Sequence, residues 1–192
     1  MKFHNLFPVL ISSLFCFSGP LLSEENNKKF FYNTISVGGG RVTDIDFGYL
    51  GTLGFETGLE LESGLGYDFG NSRIELTYGW NGSDFENTST SSRYVDILMQ
   101  TISFNGYFDL ENDSELTPFI GAGFGTTFVE TGADNDRVNS YSIYAGLSYL
   151  ISRNFDIDFK FTHRRLGDVE LEGLSLADLS VNSGSLGLRF HF

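Results

Sequence analysis

Glu56, Glu60, Glu62 and Asp68, then Arg73 and Glu75, then Asp156, Asp158, Lys160 and Arg164, and finally Arg189 are charged residues set at even spacings within each group. At a period of two, each group projects from one face of an extended strand. Carboxylates and cations gathered on one side of a sheet can line a charged path for solutes, or they can pair and close it. Buried charges need opposite charges or hydrogen-bond donors beside them. A salt-bridged plug is therefore the expectation, with Glu60, Glu62, Arg73, Glu75, Asp156, Asp158, Lys160, Arg164 and Arg189 as its network.

Other chemistry is thinner. His163 is the one candidate base, but nucleophilic catalysis needs a serine and an acid to converge on it. No distinctive serine motif accompanies it. Glu130, Asp134 and Asp136 offer oxygen ligands, yet they lack the glycine and distal glutamate of a calcium loop. Cys16 is the single cysteine and falls in a segment expected to be removed, which leaves no thiolate. No catalytic residue, metal or cofactor is expected. The net charge of -13 argues against a nucleic-acid partner.

Eight strands would position these charges. Residues 30–39 form the first, with Asn33 interrupting its Phe31, Ile35 and Val37 stripe. The second, 55–69, alternates Leu59, Leu61, Leu65, Tyr67 and Phe69 with Glu60, Glu62, Gly64, Gly66 and Asp68, and turns at Gly70-Asn71-Ser72 into the third, 73–80. The fourth and fifth, 98–110 and 118–129, are joined by a short polar turn. The sixth and seventh, 141–152 and 155–164, meet at Arg153-Asn154, and the eighth is 184–192. Connections 41–54, 81–92, 130–139 and 167–183 are long, and they alternate with the short turns.

That alternation fits an up-and-down antiparallel barrel. A lipocalin-type soluble barrel is the rival, since alternation alone does not say which face points inward. The glycines decide it. Gly58, Gly64, Gly66, Gly121, Gly123, Gly125, Gly146 and Gly187 share the polar face. There they suit a narrow lumen crowded by other side chains, not a solvated surface. Trp80 at one end, with Phe69, Phe155 and Phe192 at the other, stand where interfacial aromatic girdles belong.

The first residues support export. Leu6 to Leu22 is an apolar run broken by Pro8 and Gly19-Pro20, followed by the polar Ser23-Glu24-Glu25. This pattern predicts a signal peptide over 1–23 and a barrel domain over 24–192. In the last strand, Leu186, Leu188, Phe190 and Phe192 share one face and the sequence closes on the aromatic. This stripe resembles the recognition signal by which outer-membrane proteins engage the barrel assembly machinery.

Gly64-Leu65-Gly66-Tyr67-Asp68-Phe69, Arg73-Ile74-Glu75-Leu76, Thr117-Pro118-Phe119-Ile120-Gly121-Ala122-Gly123-Phe124-Gly125 and the closing strand carry a wider resemblance. The chain resembles small outer-membrane β-barrel proteins of the opacity type and the OmpA- and OmpX-like surface proteins. The resemblance implies an all-β, eight-stranded transmembrane barrel in the cell outer membrane, a monomer surrounded by lipid. The expected role is structural or surface-interacting, with extracellular ligands met through loops. A narrow porin-like channel and a lipid A-modifying enzyme using His163 are the alternatives. Leu174, Leu176 and Leu179, in a connection with few charges, are expected to fold over the barrel mouth or to meet a partner.

Overall fold

The computed structural model describes residues 31–43, 45–46, 52–53, 57–84, 96–110, 112–131, 134–167, 169–171, 174–176 and 179–192. The expected export segment, Phe55 and Glu56 lie outside the described residues.

Alternating sequence becomes extended chain throughout. The strands are β1 (Phe31–Val42), β2 (Ile45–Asp46), β3 (Thr52–Leu53), β4 (Gly58–Asp68), β5 (Ser72–Asp84), β6 (Asp96–Asp109), β7 (Leu116–Thr131), β8 (Asp134–Ser152), β9 (Phe155–Leu166), β10 (Val169–Leu171), β11 (Leu174–Leu176) and β12 (Ser180–His191). Eight of them close into one antiparallel barrel in the order β1-β12-β9-β8-β7-β6-β5-β4. Two small ribbons, β2 with β3 and β10 with β11, form sheets of their own, and β10 lies against β8. Closure pairs every edge, as a sheet surrounded by hydrocarbon requires.

The stagger can be read from the register. Starting at Asn33, successive partners are Leu65, Leu76, Phe104, Phe124, Tyr141, Arg165 and Ser180. Ser180 accepts from the amide of Thr43, so one circuit climbs ten residues, from Asn33 to Thr43. A ring of constant height must therefore drop about one and a quarter residues per strand. Such a ring through Arg41 meets Leu59, Trp80, Gln100, Phe128, Asn139, Arg165 and Asn182, each within about two residues of it. Phe31, Tyr67, Phe69, Phe155, Phe190 and Phe192 make the lower girdle, tied by ring contacts such as Phe31 to Tyr67 at 4.9 Å and Phe155 to Phe190 at 4.8 Å. Roughly ten residues of tilted strand separate belt from girdle. That is about 25 Å of height, the apolar band of an outer-membrane barrel.

Between belt and girdle most apolar side chains point outward, while Tyr32, Tyr107, Phe119 and Tyr144 are buried in the lumen. Phe124, Tyr141, Ile143 and Leu65 are each 60 % or more exposed. Above the belt the pattern inverts. Val42, Ile97, Met99, Val129, Val138, Leu166, Leu179 and Val181 point inward as one buried cluster, while Glu130, Asn135 and Arg137 face out. Here the barrel has left hydrocarbon for water, and it packs like a soluble β-barrel.

This inversion accounts for the differences from the sequence reading. The connection expected over 130–139 is mostly strand, because β7 runs to Thr131 and β8 begins at Asp134. Likewise β5 continues past Trp80 to Asp84, and the 167–183 connection holds the β10–β11 ribbon and the start of β12. At the opposite end a register shift between Leu150 and Ser152 breaks the alternation of β8. Leu150, Ile151 and Ser152 are all exposed, so Ser152 does not join the inward face.

Candidate functional site: a filled lumen beneath an apolar cap

The lumen is layered. In the lowest tier, Arg73 grips Asp109 with two hydrogen bonds, Nε to Oδ2 at 2.8 Å and Nη2 to Oδ1 at 2.7 Å. Its guanidinium lies over the rings of Tyr107 and Phe119, 5.1 and 5.0 Å from their centres. Arg189 donates from Nε to Asp156 at 3.1 Å and from Nη2 to Ser148 at 2.5 Å, and its Nη2 lies 3.3 Å from Asp158. Ser148 donates in turn to Asp158, and His191 Nε2 lies 2.9 Å from Asp156.

The middle tier belongs to Glu62. Lys160 Nζ lies 2.5 Å from one of its oxygens and Arg164 Nη2 lies 3.9 Å from the other. Tyr144, under the Lys160 ammonium, donates to Asn105 at 2.8 Å, and Asn105 donates to Thr77 at 3.0 Å. Thr77 and Ser103 share a bond of 2.8 Å, and Thr101 and Thr127 share one of 2.9 Å in the tier above. The bonds to charged groups in these tiers are the stronger ones, while Glu60 Oε2, Asn81 Nδ2, the Tyr107 hydroxyl and Arg189 Nη1 are buried with no hydrogen-bond partner among the described residues.

Small residues make room for large ones. A Cβ on Gly66 would fall 2.1 Å from the Tyr32 ring, and one on Gly146 would fall 2.3 Å from the Phe119 ring. Gly66, Gly121 and Gly146 are therefore slots for lumenal aromatics, while Gly64 makes room for Thr34 and Glu75. One gap of about 20 Å³ lies between Glu62, Arg73, Glu75, Asp158 and Lys160, room for about one water.

The expected network residues all reach the lumen, and most of them are joined there. Glu75 is buried beside Gly64 and lines the gap, but makes no ion pair among the described residues. Glu60, cross-strand from Asn81, is likewise buried without a cation among the described residues. Asp68 departs from its expected place. It accepts from the amide of Gly70 at 2.7 Å and fixes the turn, so it does not join the lumen charges. Asp109, absent from the sequence reading, is the chief partner of Arg73. It follows Phe108 at the end of β6, where alternation alone would have placed it inward.

Outside the lumen, Leu186, Leu188 and Phe192 are exposed on the outer wall, and Phe190 packs against Phe155. Leu179 is buried in the apolar cap. Leu174 and Leu176 form β11, paired to β10. His163 faces outward below the belt, with Nδ1 2.8 Å from the side-chain oxygen of Asn182. Gln100, a misfit on the outer face of β6, accepts from the Tyr78 hydroxyl at 2.7 Å.

The geometry matches known structures. The crystal structure of Neisserial surface protein A superposes with a TM-score of 0.65 at 18% identity, covering 88% of this chain and 100% of that one. The outer membrane protein OprG from Pseudomonas aeruginosa superposes with a TM-score of 0.52 at 11% identity, covering 87% and 99%. At such identities the likeness is one of fold. No curated protein matches the sequence. The family model described as the outer membrane protein beta-barrel domain matches residues 11–192. With its closed eight-stranded wall, apolar band and aromatic girdle, the chain belongs to the outer membrane protein beta-barrel family and resides in the outer membrane.

Proposed function

We propose that the protein acts as a closed barrel, a structural and surface-interacting element of the outer membrane that neither conducts solutes nor catalyses a reaction. The observation that carries this reading is the apolar cap. Eight inward-facing side chains from Val42 to Val181, each at most 7 % exposed, lie above the ion-paired tiers, and on β5 the buried Asn81 and Ser83 adjoin them. An ion passing among these apolar side chains would give up most of its hydration, at a cost of several kcal/mol. His163 is engaged by an asparagine amide oxygen, which supports a positional role for it.

Interaction then falls to the projecting strand ends, β7 with β8 and the β10–β11 ribbon, which rise beyond the belt. Single-channel recording in planar bilayers tests the reading. The folded protein is expected to give no steady unitary conductance at neutral pH. Reproducible steps that change size in Lys160→Ala would establish a pore in its place.

A further inference from the structure

At the outer end of the lumen two buried polar groups converge without partners. Glu60 is 4% exposed and Asn81 is 3% exposed, and they are cross-strand partners on β4 and β5. Both point at the same spot on β1. A Cβ on Gly40 would lie 2.7 Å from Asn81 Nδ2 and 3.2 Å from Glu60 Oε2. Neither atom has a hydrogen-bond partner among the described residues.

A carboxylate withdrawn from water needs a cation or donors beside it. Glu62 has Lys160 and Arg164, Asp109 has Arg73, and Asp156 and Asp158 have Arg189. Glu75 lines a gap that Arg73 and Lys160 also line. Among the described residues Glu60 makes no ion pair. It is enclosed from above as well, because Val42 and Val181 of the apolar cap stand one inward position beyond Gly40 and Ser183.

The groups beside Glu60 offer oxygen. Ser83 Oγ lies 3.3 Å from Asn81 Oδ1, and Ser83 packs against Gly58, the cross-strand partner of Gly40. The buried Ser183 pairs with Gly40 on its other side, its Cβ 3.2 Å from where a Cβ on Gly40 would stand. A half-turn of the Asn81 amide exchanges its nitrogen and oxygen. The NH2 group then donates to Ser83 Oγ, and Oδ1 joins Glu60 Oε2 beneath Gly40. That orientation satisfies the orphaned donor and sets two acceptors together, which is the ligand set of a hard cation. One carboxylate supplies one negative charge, and the other ligands are neutral oxygens. A small monovalent ion balances that set.

We propose that Glu60 and Asn81 hold one sodium ion at the outer end of the lumen, with the Ser183 hydroxyl beside it and Ser83 fixing the amide. The ion is a resident of the folded barrel, not a passing solute, since the cap lies above it and the ion-paired tiers lie below.

Urea unfolding of the full chain folded in detergent micelles tests the site, in sodium chloride and in tetramethylammonium chloride at equal ionic strength. A ligand that binds only the folded state raises its stability, so the wild-type midpoint is expected to be higher in sodium. Glu60→Gln is expected to have the same midpoint in both salts. Glu130→Gln, which removes an exposed outward carboxylate, is expected to keep the wild-type difference. A wild type indifferent to the salt would mean that water alone bridges the two groups, and would overturn the proposal. A sodium effect that persists in Glu60→Gln would overturn it too. If Glu60→Gln does not fold, Asn81→Asp is measured in its place. It sets a second carboxylate beside the first and is expected to make calcium stabilising, because calcium matches the doubled charge. An Asn81→Asp chain that calcium leaves unchanged overturns the proposal equally.

Discussion

Lys160 and Glu62 meet across the lumen, Nζ to Oε1 at 2.5 Å, from strands β9 and β4 that are not neighbours in the barrel. Ladder hydrogen bonds hold adjacent strands only, so this contact ties one wall to another through the interior. Both side chains are largely withdrawn from water, at 11% and 4% exposure. Lys160→Ala leaves the Glu62 carboxylate buried with only the 3.9 Å approach of Arg164. The expected loss is about 3 kcal/mol, read by urea unfolding in lipid vesicles. Replacing both, as Lys160→Met with Glu62→Leu, is expected to cost less than Lys160→Ala alone, because no orphan charge remains.

Gly66 is predicted to be intolerant of a side chain, because Tyr32 occupies the space a Cβ would need. Tyr32 is fully buried and lies beside Arg189 and His191, so it has little room to move. Gly66→Val is expected to destabilise the barrel by about 2 kcal/mol or more. Thermal unfolding followed by circular dichroism measures it, and an unchanged midpoint would contradict the packing described.

Leu179 sits at 1% exposure in the cap above the charged tiers. Leu179→Ala is expected to cost about 2–4 kcal/mol through the cavity it leaves, with faster protease cleavage of the connections beside it. Conductance is expected to stay nil, because the ion-paired tiers remain below. Stability equal to that of the wild type would mean that the cap contributes little to closure.

Trp80 is the single tryptophan and lies at the belt, over Gly82. Its fluorescence reports depth directly. Lipids brominated near the headgroup are expected to quench it more strongly than lipids brominated near the acyl terminus. The reverse order would move the membrane boundary away from the belt.

Closure of all strand edges predicts resistance to detergent. Unheated and boiled samples are expected to migrate differently on gels, with a β-type circular dichroism spectrum before heating. A helical spectrum would be incompatible with the fold.

The sequence by itself determined the architecture. Strict alternation in segments such as Phe155 to Arg164 assigns each side chain to a face, because the period of a strand is two wherever the strand lies. Glycines on the polar face then indicated which side was crowded. Eight strands, tight turns at one end, and the inward placement of Glu62, Lys160 and Arg189 were all legible on those grounds. What only the tertiary structure decided depends on stagger and on height. That Lys160 meets Glu62, and Arg73 meets Asp109, follows from a climb of ten residues per circuit, which local patterning does not encode. The cap was hidden for a related reason. Val129, Val138 and Val181 keep their phase while the solvent outside changes from lipid to water, and alternation reads the same when its apolar face turns inward. Only the position of each residue along the barrel axis says which solvent it meets, and closure of the sheet fixes that position.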